Sequence, residues 1–166
     1  MSRLVIRTAV AADIPQILAF IRELAIYEKA LPEVVATPAM LESALFGPGA
    51  NVEALLCEQD GAAVGFAVYF FNFSTWLGRH GLYLEDLFVT PSARGAGAGR
   101  ALLTYLAAEA VARGCGRFEW SVLDWNTPAI GFYESLGAVA QSEWIGYRLE
   151  GDALRRLAAE PSPAAR

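Results

Sequence analysis

The sequence is poor in the residues that many chemistries require. It has one histidine, His80, and two cysteines, Cys57 and Cys115, in unrelated apolar stretches without CxxC spacing. That set offers no ligand cluster for zinc, so no metal is expected, and it argues for two reduced core thiols rather than a disulfide framework. No G-x-S-x-G elbow occurs, which removes the serine-hydrolase reading. Long apolar runs are scarce too: the longest, Ala62 to Phe71, falls well short of the roughly 20 residues a membrane-spanning helix needs. The first thirteen residues hold no run of signal-peptide length, and although Asn72-Phe73-Ser74 is formally a glycosylation acceptor, nothing else suggests secretion. A cytoplasmic protein is expected. Positive charge is in deficit, with 13 Lys and Arg against 18 Asp and Glu, a net charge of −5. Such a balance repels phosphate backbones, so neither nucleic acid nor membrane is an expected partner, and it suits a small cationic ligand.

What is present is apolar and periodic. Hydrophobic residues make up 55% of 166, enough for one ordered domain with its own core. Residues 1–160 are expected to form that domain and 161–166 a disordered tail. Arg3 to Thr8 alternates as a strand does. Ile14, Ile17, Leu18, Ile21, Leu24 and Ala25 recur at helical spacing behind Asp13, in a helix expected to fray near Tyr27 to Leu31 and to be ended by Pro32. Thr37-Pro38 opens a short helix that Gly47-Pro48-Gly49 breaks. Val52 to Glu58 and Ala62 to Phe73 flank Asp60-Gly61, a hairpin signal, and Gly81 to Val89 reads as a third strand. A helix follows from Arg100 to about Arg113, then a strand from Phe118 to Leu123. Asn126-Thr127-Pro128 starts another helix that Gly137 stops, and Ala138 to Leu149 holds one or two closing strands. This order predicts an α+β domain: one mixed, mostly antiparallel sheet flanked by helices.

The most informative stretch is the turn Arg94-Gly95-Ala96-Gly97-Ala98-Gly99, between a strand and a helix. Small residues there let backbone N–H groups converge, and the helix N-terminus adds partial positive charge, which together suit a phosphate or pyrophosphate. The bland alternative is a tight connection needing left-handed glycines, but three alternate glycines exceed that need. The Walker pattern fails because Arg100 follows Gly99, and the dinucleotide fingerprint fails because its third glycine is one place early. A nucleotide-binding α/β protein is therefore disfavoured.

The spacing R-x-x-G-x-G over Arg94, Gly97 and Gly99 resembles the pyrophosphate-binding motif of the GNAT superfamily of N-acetyltransferases. Within it the chain is most similar to the diamine (spermidine/spermine) and thialysine acetyltransferases. The similarity is carried by Val5-Ile6-Arg7, Glu23 to Glu28, Val64 to Ala67, Tyr83-Leu84-Glu85-Asp86, Trp125-Asn126 and Phe132-Tyr133. It implies the acyl-CoA N-acyltransferase fold, acetyl-CoA as cosubstrate, direct attack by an amine in a ternary complex, and a homodimer joined through the C-terminal strands.

Roles follow from the same resemblance. Glu85 is the implied base toward the ammonium group, its apolar neighbours suggesting burial and a raised pKa. Tyr133 is the implied acid toward the CoA sulfur, and its plainer reading is a packed helix aromatic. The cofactor set is the main chain of Leu87, Phe88 and Val89, the turn Arg94, Gly95, Ala96, Gly97, Ala98 and Gly99, then Arg100, Asn126 and Tyr133. Asn126 serves equally as a helix cap. Tyr27, Glu28, Trp76, Glu85 and Asp86 are the acceptor candidates, since acids and aromatics suit an alkylammonium ion. As strand neighbours, Glu85 and Asp86 are expected on opposite faces. Lys29 departs from the acidic pattern of polyamine enzymes and weighs against spermine, which leaves a diamine, a polyamine or a lysine-like amino acid as the expected acceptor. A non-catalytic acyl-CoA-binding module on the same fold is the alternative, which the presence of both Glu85 and Tyr133 disfavours.

Overall fold

The computed structural model describes residues 3–161, so the tail expected at 161–166 lies, beyond Pro161, outside the described residues. Contacts divide the chain into two compact units, Met1–Ser121 and Val122–Arg166.

The first unit is a five-stranded sheet in sequence order: β1 (Leu4–Thr8), β2 (Val52–Gln59), β3 (Ala62–Ser74), β4 (Arg79–Val89) and β5 (Phe118–Trp120). β1 to β4 pair antiparallel, and β5 runs parallel to β4. The mixed sheet is the one expected, although its last strand stops at Trp120 rather than Leu123. The β2–β3 turn places Asp60 at φ 52 and Gly61 at φ 86, the left-handed pair a two-residue hairpin needs.

Three helices cover the sheet: α1 (Ile14–Tyr27), α2 (Pro38–Phe46) and α3 (Ala98–Ala112). Ile17 and Phe20 of α1 pack on Ala54, Leu56, Phe66 and Phe88, with the Phe20 and Phe66 rings stacked at 5.7 Å. The intervening strand residues Leu55, Cys57 and Ala67 point the opposite way, where the buried Leu102, Leu103 and Leu106 of α3 meet the sheet. Burial raises the pKa of the Cys57 thiol and leaves it an inert core group. The end of α3 is tied down by Arg113, which pairs with Glu53 at 2.9 Å and lies 4.6 Å over the Phe71 ring. Glu53 in turn accepts from the Tyr69 hydroxyl at 2.8 Å.

α1 ends at the start of the stretch expected to fray, short of Pro32. It closes after Tyr27, where the Lys29 N–H donates to Ile26 O and the Ala30 N–H to Ala25 O, with Lys29 left-handed at φ 61. That double bond pattern satisfies the last carbonyls of a helix and stops it. Pro32 sits in the 3-10 turn beyond. Asp13 makes no side-chain cap to α1; it accepts from Val10 N and holds Arg7 through both guanidinium nitrogens, which keeps its carboxyl below the usual range.

In the second unit, α4 (Thr127–Ser135) begins at Asn126, whose Oδ1 accepts from Ala129 N at 3.4 Å, and Gly137 follows its end at φ 88. A further helix, α5 (Gly151–Ala158), falls outside the elements expected from the sequence, although Gly151 opens it at φ 54 and Pro161 lies just beyond its end. The closing strands expected at 138–149 are absent: no ladder among the described residues includes this stretch. Ile145, Tyr147 and Leu149 do alternate, but alternation makes a strand only where a neighbour supplies backbone partners.

Candidate active site

β4 passes through a 3-10 turn, Pro91–Ala93, into the glycine turn and α3. Gly95 and Gly97 have φ of 81 and 91, a region costly for residues with a Cβ, whereas Gly99 lies inside the first turn of α3. Because α3 starts at Ala98, the N–H groups of Ala98, Gly99 and Arg100 have no carbonyl four residues back. They add to the positive end of the helix dipole. Gly95, Ala96, Gly97 and Arg100 are exposed; Ala98 is buried and offers only its backbone. The exposed Arg94 donates its Nε to Val89 O at 3.1 Å. Its guanidinium lies 5.0 Å from the centre of the Tyr27 ring and 5.7 Å from that of Phe88. A compact anion fits this cradle of backbone donors between two arginines.

Beside the turn, β4 outruns its neighbour. β5 covers it only from Leu82 to Leu84. Among the described residues no strand pairs with β4 on that side from Glu85 to Val89. The main chain of Leu87, Phe88 and Val89 therefore borders an open sheet edge, ready to bond an extended ligand.

The carboxylates depart from the simple strand picture. Val68 pairs with Asp86 and Tyr69 with Leu84, so Glu85 is the extra residue of a β-bulge. Paired residues share a face, which puts Leu84 with Tyr69 and Asp86 with Val68 and Phe66, on the α1 side. The bulge thus carries Leu84 and Asp86, two residues apart, to opposite faces, and the expected simple opposition of Glu85 and Asp86 does not hold. Glu85 is exposed rather than buried as expected, whereas Asp86 is half-buried. Burial, then the Glu85 and Glu28 charges, push the Asp86 carboxyl up to about 6. Burial also raises Glu28, which follows Tyr27 at the end of α1. Tyr27, Glu28 and Asp86 are therefore brought together on one side of the sheet, with Glu85 adjacent.

Trp76 is not. It sits at the tip of the β3–β4 hairpin, 89% exposed, beyond the pair Ser74 and Arg79. Five strand steps along β4 separate Arg79 from Leu84, about 17 Å at strand spacing. Within one chain it does not join the acceptor candidates, because the hairpin extends straight past the bulge. Asn126 and Tyr133 belong to the second unit, at the start of α4 and near its end, with the Phe132 and Tyr133 rings 5.5 Å apart. His80 makes a ring contact with Phe73 and a 3.1 Å hydrogen bond with Asn72 O, a packing role. The bulge was the feature sequence reasoning missed. Its one trace is the acidic pair Glu85-Asp86 interrupting an apolar strand.

A short mixed sheet with an open edge beside a glycine-rich anion turn is the arrangement of an acyl-CoA-type transferase. The model of the Acetyltransferase (GNAT) family matches residues 21–138. The chain is 38% identical to a thialysine N-epsilon-acetyltransferase of Sus scrofa over 169 residues, covering 95% of this chain and 99% of the relative. It is 45% identical over 98 residues to an L-ornithine N5-acetyltransferase of Arabidopsis thaliana, covering 59% of this chain and 43% of that protein. Among solved structures, an integron cassette protein from the mobile metagenome of V. cholerae superposes with a TM-score of 0.79 at 29% identity, covering 95% and 98% of the two chains. This chain belongs to the GNAT acetyltransferase family. It is an acetyl-CoA-dependent N-acetyltransferase.

Proposed function

We propose that the protein acetylates the primary amine of a short cationic acceptor, a lysine-like or ornithine-like amino acid or a small diamine. The observation that carries this reading is Asp86, a carboxyl that the bulge turns onto the α1 side beside Glu28 and Tyr27. Among the described residues no cation is paired with this half-buried carboxyl, and an alkylammonium ion supplies one. Relatives that act on thialysine and ornithine have acceptors of this kind. Lys29, directly after Glu28, repels the remote charges of a longer polyamine.

Acetyl-CoA supplies the activated acetyl thioester. Arg94, Arg100 and the backbone of residues 95–99 hold the pyrophosphate, the main chain of Leu87 to Val89 lies along the pantetheine arm, and Asn126 contacts the same arm. The amine attacks directly within a ternary complex, with no covalent enzyme intermediate. Glu85, exposed at the bulge, accepts the ammonium proton directly or through water. Tyr133 donates a proton to the departing sulfur, a role supported by the Phe132-Tyr133 match. A homodimer is part of this reading, formed through the exposed apolar residues of 138–157.

Thiol release from acetyl-CoA against putrescine, spermidine, spermine, lysine, ornithine, thialysine and a peptide N-terminus tests the assignment. Turnover is expected with thialysine, ornithine or putrescine, at kcat/KM at least tenfold above spermine. Preference for spermine or for the peptide would refute the short-acceptor reading.

A further inference from the structure

We propose that Tyr27, a residue of the acceptor side, is the positioning residue for Arg94 and thereby sets the affinity for acetyl-CoA before any amine binds. The proposal rests on the reading of the glycine turn as the pyrophosphate site. Arg94 is exposed, and a long exposed side chain samples many rotamers unless something holds it. Three contacts hold it here. Its Nε is committed to Val89 O at 3.1 Å, and its guanidinium carbon lies 5.0 Å from the Tyr27 ring centre and 5.7 Å from that of Phe88.

The division of labour within the guanidinium follows from its shape. Aromatic rings engage the faces of the planar cation, while anions are bound by the N–H groups along its edge. With Nε occupied, the two terminal nitrogens keep their donors, and stacking does not consume them. Phe88 belongs to the β4 strand itself and is buried in the core, so it forms a fixed floor. Tyr27 supplies the second ring contact, and its place is set by the helix stop immediately beyond it, with Lys29 at φ 61. The end of α1 therefore carries two jobs within two residues: Glu28 faces the acceptor carboxylates, and Tyr27 holds the phosphate arginine in place. A substitution made to alter acceptor choice at Tyr27 changes cofactor affinity as well.

Calorimetric titration of acetyl-CoA in the absence of amine tests this. Tyr27→Leu is expected to raise Kd about three- to tenfold, the range for loss of one exposed to partly buried cation–π contact. Tyr27→Phe, which keeps the ring, restores a Kd within about twofold of wild type. The double variant Tyr27→Leu/Arg94→Gln binds no more weakly than Arg94→Gln alone, because the ring acts only through the arginine. An unchanged Kd in Tyr27→Leu overturns the proposal, and so does a full additional loss in the double variant. Failure of the wild-type protein to bind acetyl-CoA at all overturns the pyrophosphate reading itself, an outcome separate from either.

Discussion

A carboxyl group partly withdrawn from water and facing other carboxylates favours its neutral form, and Asp86 is in that position while its neighbour Glu85 is exposed. In the unfolded chain Asp86 titrates near 3.8 and in the fold near 6, so between these values the folded chain retains a proton that the unfolded chain has released. Stability therefore falls as pH rises from about 4 to about 6 and levels off above. Asp86→Asn is expected to flatten that window and to stabilise the protein at pH 7.5 by about 1–3 kcal/mol in thermal or urea unfolding. Its cost is functional. The acceptor KM of the wild type should rise as pH drops below about 6, whereas the variant should show no such inflection and a KM at least tenfold higher. An inflection near 6 surviving in Asp86→Asn would assign the titration to another group.

At the scale of elements, the junction of β4 with α3 does most of the work. Gly97 has φ 91 and immediately precedes α3, yet a Cβ there would approach only Leu4 Cδ1, at 4.0 Å. Replacement by valine should cost stability through backbone strain alone, about 1–3 kcal/mol. If the glycine turn holds the cofactor pyrophosphate as proposed, the added side chain also obstructs it, and acetyl-CoA affinity should fall at least thirtyfold. Equilibrium unfolding and acetyl-CoA titration of Gly97→Val separate the two effects. A stability loss with wild-type affinity would show that the glycine serves the fold and not the ligand. The stop of α1 at Lys29 is the companion case: a non-glycine residue in a left-handed position fixes where Tyr27 and Glu28 project.

At the scale of the whole molecule, the second unit leaves much apolar surface uncovered. Trp144, Ile145, Tyr147, Leu149, Leu154 and Leu157 are all exposed. Scattered apolar side chains are ordinary on a surface, but six within fourteen residues are more than a monomer usually shows. Light scattering should find a dimer, and Ile145→Glu with Tyr147→Glu should convert it to a monomer whose first unit keeps its far-ultraviolet strand signal. A wild-type monomer would remove the dimer from the functional reading. Among the described residues no helix is long and apolar enough to cross a membrane.

Much of this was legible from local chemistry. Asp60-Gly61 specified its hairpin because left-handed residues fit a two-residue turn, Asn126-Thr127-Pro128 specified a helix start, and Arg94 to Gly99 specified a glycine turn running into a helix. Each depends on residues adjacent in the chain. What adjacency could not decide was left to tertiary structure. The bulge at Glu85 arises from the register between β3 and β4, set by the packing of Phe66 and Phe88 against Phe20 on one face and of Tyr69 and Leu84 on the other. The separation of Trp76 from the carboxylates follows from the length of the same hairpin. The contact of Tyr27 with Arg94, 67 positions apart in sequence, exists only because α1 and the glycine turn meet at one end of the sheet. Local sequence chooses turns, caps and periodicity because their energies are short-ranged. Which side chains face one another across the sheet is a long-range outcome of register and packing.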